Sequence, residues 1–480
     1  MSDALASLPD GLVAIVKRDC PTCALVVPVL EQLAAEPGIT VFTQDDPAFP
    51  DGLDPVDDTD LAVSFALDLD TVPTLLRVTD GREVERIVGW SREQWEDFAG
   101  RSDLGEGLPP YRPGCGSRTQ DPDLAAARAA SAGASRLTAR RVELGAAEDE
   151  CEAMYERGWS DGLPLVPPTP ERVAHMLGGT TRDASSLVAT VPPDLVECTV
   201  EKVAINAVMA GCRPEYLPVV LAAVEAACTD AFNIHGVLAT TMPVGPVVVV
   251  NGPVARAIGM NSGGNALGQG NRANATIGRA LQLVIRNVGG GRPGGVDRAT
   301  QGQPGKYTFC FAEDEAGSPW EPLHVARGFA AEESTVTLFT GEGPRVVLDQ
   351  LSRTPESLAA TFAACLRTVA HPKIVLGIDA MLVVSPEHAR VFQEAGWTRA
   401  QLMEALAANL QVPGDEFVRG AAGIAEGMPE AFAENPLPKF RDGGLLLVHV
   451  GGRAGLFSAI IGGWLGGGGG SDPVTVAIGT

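Results

Sequence analysis

The stretch Gly11–Ala35, GLVAIVKRDCPTCALVVPVLEQLAA, decides how the front of the chain is read. Gly11–Lys17 is an apolar run rich in β-branched residues, the signature of a buried strand. Ala24–Glu36 spaces its apolar residues as a helix does. Between them stands Cys20-Pro21-Thr22-Cys23. A cysteine at a helix start feels the positive end of the macrodipole, which favours the thiolate at neutral pH. Cys23, one turn on, is placed to resolve a mixed disulfide formed at Cys20. Lys17 and Arg18 are expected to assist the thiolate and Asp19 to oppose it. The competing reading, half of a metal site, needs further ligands at matching spacing, and no second CxxC exists.

Working outward, Ile39–Phe42 reads as a second strand and Leu61–Leu67 as a helix. Leu75–Val78 reads as a strand, with Val84–Val88 as its hairpin partner across Asp80-Gly81. Ser91–Phe98 reads as a helix with Ser91 as N-cap. This order resembles the thioredoxin fold, and four features carry the resemblance. They are the CxxC at a strand-to-helix junction, Pro28 five residues after Cys23, Thr71-Val72-Pro73-Thr74 before a strand, and Gly89 after the hairpin. The resemblance implies a thioredoxin-like redox domain over residues 1–104. It also implies that Pro73 follows a cis peptide bond and faces the CxxC as part of the substrate-binding surface. Ala14 stands where that family often has a buried acid, and Asp19 where an aromatic residue is common.

The chain has 480 residues and a net charge of −24, with 45% hydrophobic residues. That acidity argues against wrapping a nucleic acid backbone or docking on an anionic membrane. The hydrophobic fraction suffices for globular cores. No apolar run reaches the length of a transmembrane helix. The N-terminus lacks a basic segment followed by an apolar one, so no signal peptide is read, and a cytoplasmic place is expected. There nine cysteines point to thiols, redox chemistry or metal rather than to a disulfide framework. Asp45–Asp60 holds seven aspartates and no basic residue, which reads as a solvated loop or a docking surface for a basic partner.

Residues 105–150 read as a connector: a Gly/Pro-rich opening, then an Ala/Arg/Glu-rich helix over Leu124–Ala147. Cys115 lies in it, flanked by glycines and close in sequence to Arg112 and Arg118, charges that would favour its thiolate. It is either an incidental cysteine or a relay thiol between the front module and the rest. Cys115-Gly116-Ser117 resembles the core of the UGSC motif of certain bacterial redox proteins and selenoproteins. Where that motif closes with a second cysteine, this chain has Arg118.

Residues 151–480 read as one large α/β domain with a weak internal repeat. Arg213–Tyr216, a helix through Cys228, strand Val247–Val250 and Asn251-Gly252-Pro253 echo Thr354–Ser357, a helix with Cys365, strand Met381–Val384 and Ser385-Pro386. Leu445–Val450 with Gly451-Gly452-Arg453 reads as a third strand-turn-helix element. This domain resembles a bacterial family associated with such redox modules, a resemblance that implies no substrate.

Within it the Gly- and Asn-rich segment Gly259–Gly305 stands out. Glycine permits close backbone approach to a ligand, and Asn, Gln and Arg supply donors. Asn274-Ala275-Thr276 is expected to start the helix Ile277–Val288 and to offer an anion site there. The segment matches neither a P-loop nor a dinucleotide fingerprint, so a carboxylate- or amide-bearing small molecule is expected, and no cofactor is called for. Asn261, Asn265, Asn271, Arg272 and Asn274 are the binding candidates, with Trp159, Ser160 and Asp161 of the GWSDGLP loop. Cys310, beside Glu313–Glu315, and Cys212, beside Arg213, are candidate nucleophiles. His235 is the best general acid/base candidate. The six histidines form neither HxH nor HxxxH, so no metal site is signalled.

The expectation is a thiol-dependent oxidoreductase, α/β throughout, in which the CxxC module serves a large substrate-binding domain. Its partners would be a small-molecule substrate and a thiol reductant or reductase, and a homo-oligomer is expected. A second reading is a cysteine-nucleophile hydrolase or lyase acting on a carbon–sulfur or amide bond through Cys310 or Cys212. A third is a redox-dependent binding or assembly protein without turnover.

Overall fold

A computed structural model describes residues 8–67, 69–121, 124, 137–145, 148–424 and 428–479. The chain divides into two compact units, Met1–Ala132 and Gly133–Thr480. Both mix helices and sheets, an α/β protein. Among the described residues no helix is long and apolar enough to cross a membrane.

In the first unit, β1 (Gly11–Val16) runs parallel to β2 (Ile39–Thr43) and antiparallel to β5 (Thr74–Thr79). With β3 (Val56–Asp57) and β6 (Arg82–Val88), the sheet order is β3-β2-β1-β5-β6. The β5–β6 turn places Asp80 and Gly81 both at positive φ, +51° and +70°. That geometry matches the right-handed twist of the flanking strands, which is why Asp-Gly marked the hairpin.

Helix α1 (Pro21–Ala35) buries Val26, Val29, Leu30 and Leu33 in one core with Val13, Ile15 and Leu75. Each such side chain contributes about 1.5–3 kcal/mol when fully buried. After α2 (Ala62–Ala66) and β4 (Thr71–Val72), β7 (Trp90–Ser91) leads into α3 (Arg92–Ala99). Ser91 holds the N-cap position of α3 in extended backbone, but its hydroxyl makes no capping bond, unlike the expectation.

The run Asp45–Asp60 is built into the fold. Asp45 accepts the backbone N–H groups of Arg18 (2.7 Å) and Asp19 (2.9 Å), fixing the β1–α1 loop. Arg18 pairs with Asp46 (2.5 Å) and Asp51 (2.8 Å). Asp58 accepts the N–H groups of Val63 and Ser64 at the start of α2.

The segment expected as the start of a connector does not leave this unit. After α3 the chain returns along the sheet as a strap. Tyr111–Arg112 (β8) pairs with β7, and Cys115–Gly116 (β9) pairs antiparallel with β4. Trp90 Nε1 donates to the Pro109 carbonyl (2.7 Å), and Gln44 Nε2 to Ser117 Oγ (2.8 Å). The helix expected over Leu124–Ala147 falls largely outside the described residues, and 137–145 is not helical.

The second unit is built on an eight-stranded sheet. Its main path is β13 (Cys310–Ala312), β12 (Gly245–Asn251), β14 (Thr335–Gly341), β20 (Phe457–Leu465), β16 (Ile378–Val384) and β19 (Leu445–His449). β15 (Arg345–Leu348) adds to β20 and β21 (Val474–Ala477) to β14. A hairpin of β10 (Leu187–Val191) and β11 (Val196–Thr199) and a small β17–β18 pair (Gln411–Val412, Leu437–Pro438) lie off it.

The sheet curls until its two end strands meet, where Asp314 N–H donates to the His449 carbonyl (2.8 Å). Its inner face gathers Val247, Val249, Phe311, Phe339, Met381, Val383, Val448 and Ile461 into one apolar core. Its outer face packs Val248, Val250 and Leu338 under the helices Val200–Ala210, Leu217–Ala227 and Arg272–Asn287. Farther along, Leu382 and Ile460 pack under Pro355–Leu366, Pro386–Glu394 and Arg399–Asn409. Alternation along the strands of the main path sends successive residues to the two faces, so those strands serve two cores.

The helix–strand–helix halves of the repeat are present around β12 and β16. The third element is not: β19 passes through Val450–Leu456 into β20 with no helix between. Gly451–Gly455 includes backbone at positive φ, at Gly451 (+136°) and Gly455 (+105°), which turns the chain directly back into a strand.

Candidate redox site

Cys20 is the N-cap of α1, with backbone φ −144° and ψ 112°, and its Sγ accepts the Cys23 N–H at 3.2 Å. Pro21 at the first helical position has no N–H to lose. The Val72–Pro73 peptide is cis, and the Val72 carbonyl oxygen lies 3.6 Å from Cys20 Sγ. Val72 pairs in register with Cys115. The third thiol is thus brought to the Val72 edge beside the first, packed against the core that holds Cys20.

Thr22 Oγ1 clips the strap by donating to the Pro113 carbonyl at 2.7 Å. Two glycines make the approach possible. A Cβ on Gly114 would stand 2.4 Å from Thr71 Cγ2 and 3.0 Å from the Val72 oxygen, and one on Gly89 2.8 Å from Gly114 N. Under the strap Cys20 is 1% exposed and Cys23 is fully buried, whereas Cys115 is half-buried.

The electrostatics separate the three thiols. Cys20 is held down to about 5, first by the Cys23 thiol and, against burial, also by the Cys115 thiol and the Cys23 and Thr22 N–H groups. Burial pushes Cys23 far up, and a thiolate on Cys20 adds to this. Burial and then Cys20 raise Cys115 more modestly. The largest influences on Cys20 are the neighbouring thiols, its burial and backbone N–H groups, while Arg18 is engaged by Asp46 and Asp51. Arg118 likewise turns away from Cys115, its guanidinium donating to the Gln44 carbonyl at 2.7 Å.

The residues nominated in the large unit separate into fasteners and one cavity wall. Asp161 forms a two-pronged pair with Arg279 (2.8 and 2.9 Å), and Arg279 also holds the Leu163 and Pro164 carbonyls. Ser160 Oγ donates to the Leu163 carbonyl, and Trp159 packs against the helical core. Asn274 is buried, accepting the Asn261 N–H and donating to the Asn261 and Ala266 carbonyls. Asn271 caps the helix Arg272–Asn287 through the Asn274 N–H and donates to the Gly259 carbonyl. That helix therefore starts five residues before the expected Ile277, and the Asn274 N–H of its first turn is answered by Asn271. Asn261 bonds within its own turn, and Arg272 Nε donates to the Gly211 carbonyl. These side chains, nominated as ligand donors, are engaged with neighbouring backbone and with Arg279.

Asn265 is different. It sits at φ +60° and, with Gly263, Ala266, Leu267 and Gly268, forms one wall of a cavity of about 400 Å³. Val383, Ser385, Val450–Gly452, Phe457 and Ser458 are among the residues that line the rest. Ser385 Oγ is buried there without a partner. Sequence reasoning missed Ser385; its signal was the strand-to-helix Ser-Pro junction. His388 bonds Ser458 Oγ (2.7 Å) and the Asp349 carbonyl (3.0 Å), and Ser458, whose Oγ also accepts the Ser385 N–H (3.2 Å), lines the same cavity. That pair ties the helix Pro386–Glu394 to β20 at the cavity wall.

The two nominated thiols of the large unit are enclosed. Cys310 and Cys212 both lie in the helical core; burial pushes Cys212 up to about 12 and Cys310 up as well. No carboxylate acts on Cys310. Glu313 instead accepts from Asn251 Nδ2, Leu323 N–H and His449 N–H. His235 is exposed on a short surface helix away from the cavity wall. Among the described residues no group of His, Cys, Asp and Glu is arranged to hold a metal. No protein-family model, curated protein or solved structure matches the chain.

Proposed function

We propose that the chain is a thiol–disulfide oxidoreductase whose first unit is thioredoxin-like and serves a small-molecule substrate bound by the second. The observation that carries the reading is the convergence of Cys20, Cys23 and Cys115 at the N-terminus of α1. A helix-capping thiol with backbone donors at its sulfur is a nucleophile at neutral pH. The Cys20 thiolate attacks a disulfide R–S–S–R′, forming Cys20–S–S–R and expelling R′S⁻, which takes up a proton. A second protein thiol then attacks Cys20 Sγ, closes an internal disulfide and releases RS⁻. The two electrons come from the protein's two thiols, and an external thiol or dithiol restores them.

The strand order of the first unit and the placement of Val72–Pro73 beside Cys20 support the thioredoxin-like reading. The cavity walled by Asn265 and Ser385 is the site proposed for the substrate of the large unit, where an unpartnered hydroxyl awaits an acceptor or donor. Enclosure of Cys212 and Cys310 removes the support for a cysteine-nucleophile hydrolase. The test is dithiothreitol-driven reduction of a model disulfide by the full chain. Cys20→Ser is expected to abolish it; turnover at the wild-type rate would end the proposal.

A further inference from the structure

The buried CxxC poses a problem of access. Thiol–disulfide exchange needs the attacking sulfur to reach the bond in line with its leaving sulfur. Cys20 is 1% exposed and Cys23 is 0% exposed. The strap covers both: β9 occupies the Val72 edge, and the Thr22–Pro113 bond holds the strap over the start of α1. Of the three thiols only Cys115 reaches the surface, and it does so from the strand paired with Val72, whose carbonyl oxygen lies 3.6 Å from Cys20 Sγ.

We propose that Cys115 is the port of this redox centre: it forms a disulfide with Cys20 and exchanges with outside thiols and disulfides on behalf of the buried pair. This rests on the thiol–disulfide reading above. The internal step needs no external oxidant. Starting from a Cys20–Cys23 disulfide, the Cys115 thiolate attacks Cys20 Sγ; the Cys115–Cys20 bond forms and the Cys20–Cys23 bond breaks. Cys23 leaves as thiolate and takes up the proton that Cys115 lost. An outside thiol RSH then attacks Cys115 Sγ, forming Cys115–S–S–R and freeing Cys20; a second RSH releases RSSR and restores the Cys115 thiol. Run backwards, the same steps reduce RSSR.

The structure favours this order for two reasons. The strap enters the edge of β4 as an antiparallel strand, the way an extended peptide is captured by strand addition, so the chain supplies its own bound segment with a sulfur over the nucleophile. In addition, a Cys20 engaged in a disulfide carries no charge, which lifts the part of the Cys115 elevation that a neighbouring thiolate causes.

The experiment uses the full chain, oxidised with one equivalent of diamide, quenched with acid and N-ethylmaleimide, and mapped by mass spectrometry. Wild type is expected to contain Cys20–Cys115 alongside Cys20–Cys23, and Cys23→Ser to convert to Cys20–Cys115. Cys115→Ser is expected to keep Cys20–Cys23 but to exchange with oxidised glutathione about tenfold more slowly or worse. A Cys20–Cys23 disulfide alone in wild type, none in Cys23→Ser, or wild-type exchange by Cys115→Ser would overturn the port while leaving the parent reading intact. If no disulfide contains Cys20 in any of these proteins, the parent reading fails and the port with it. The wild-type map depends on no variant folding.

Discussion

Gly114→Ala tests the strap directly. The added methyl would lie 2.4 Å from Thr71 Cγ2 and 3.0 Å from the Val72 carbonyl, closer than real Cβ atoms come to such neighbours. Thr71 and Val72 belong to the strand that β9 pairs with, and Thr71 has little room to rotate away. The strap must therefore lift, and overpacking of this kind costs about 1–3 kcal/mol. Around Gly114 the contacts that oppose lifting are short ones, among them the two-residue β4–β9 and β7–β8 pairings, the Thr22–Pro113 bond and the Gln44–Ser117 bond. The same energy therefore moves the opening equilibrium by about five- to 150-fold, at about 1.4 kcal/mol per factor of ten. Iodoacetamide reaches Cys20 through that opening, so its alkylation rate at pH 7 should rise by the same factor. The rate is followed by peptide mass under native conditions, with the unfolding midpoint of the first unit measured in parallel. An unchanged Cys20 rate in a folded Gly114→Ala protein would refute the claim that the strap guards the sulfur.

Three further outcomes follow from the same coordinates. Folding lowers the Cys20 thiol from its ordinary 9.0 to about 5, so reduced protein gains stability from this group above pH 9 and loses it progressively as pH falls toward 5. Denaturant midpoints across that range should show the slope in wild type and lack it in Cys20→Ser. Lys439 is fully buried, with Nζ donating to the carbonyls of Val369, His371 and Ile374 at 2.7–3.0 Å. Lys439→Met leaves three carbonyls without donors and should lower large-unit stability by about 2–4 kcal/mol, read from urea unfolding. Cys212 and Cys310 should resist alkylation at pH 8 in native protein and react fully once it is unfolded; rapid native labelling of either would reinstate it as a candidate nucleophile.

Local chemistry made much of the frame readable. β-Branched runs found β1, β12 and β16 because a strand buried on both faces has no polar alternation to obscure it. Asp80-Gly81 found its hairpin because few other pairs accept positive φ twice. Cys20 and Cys23 were legible because helix geometry alone brings positions i and i+3 together. Cys115 was noticed, but its place was not: contact with Cys20 depends on pairing Val72 with a strand more than forty residues onward, a partner that no local pattern encodes. The Gly/Asn-rich segment was only partly legible for a related reason. Donor-rich side chains suit a ligand and suit an irregular backbone equally well, and here Asn261, Asn271 and Asn274 satisfy their own loop. Ser385 went unread because a missing partner is visible only in three dimensions.

The curled sheet of the second unit has a consequence for how that unit comes apart. Its two helical layers have separate cores, which by themselves would permit two halves to melt in turn. The strands beneath them, however, turn their other faces into one shared interior that draws on β12, β13 and β14 as well as β16, β19 and β20. Loosening either layer uncovers apolar surface that belongs to both. The repeat seen in the sequence is thus not a pair of independent modules, and the unit should melt as a single cooperative body.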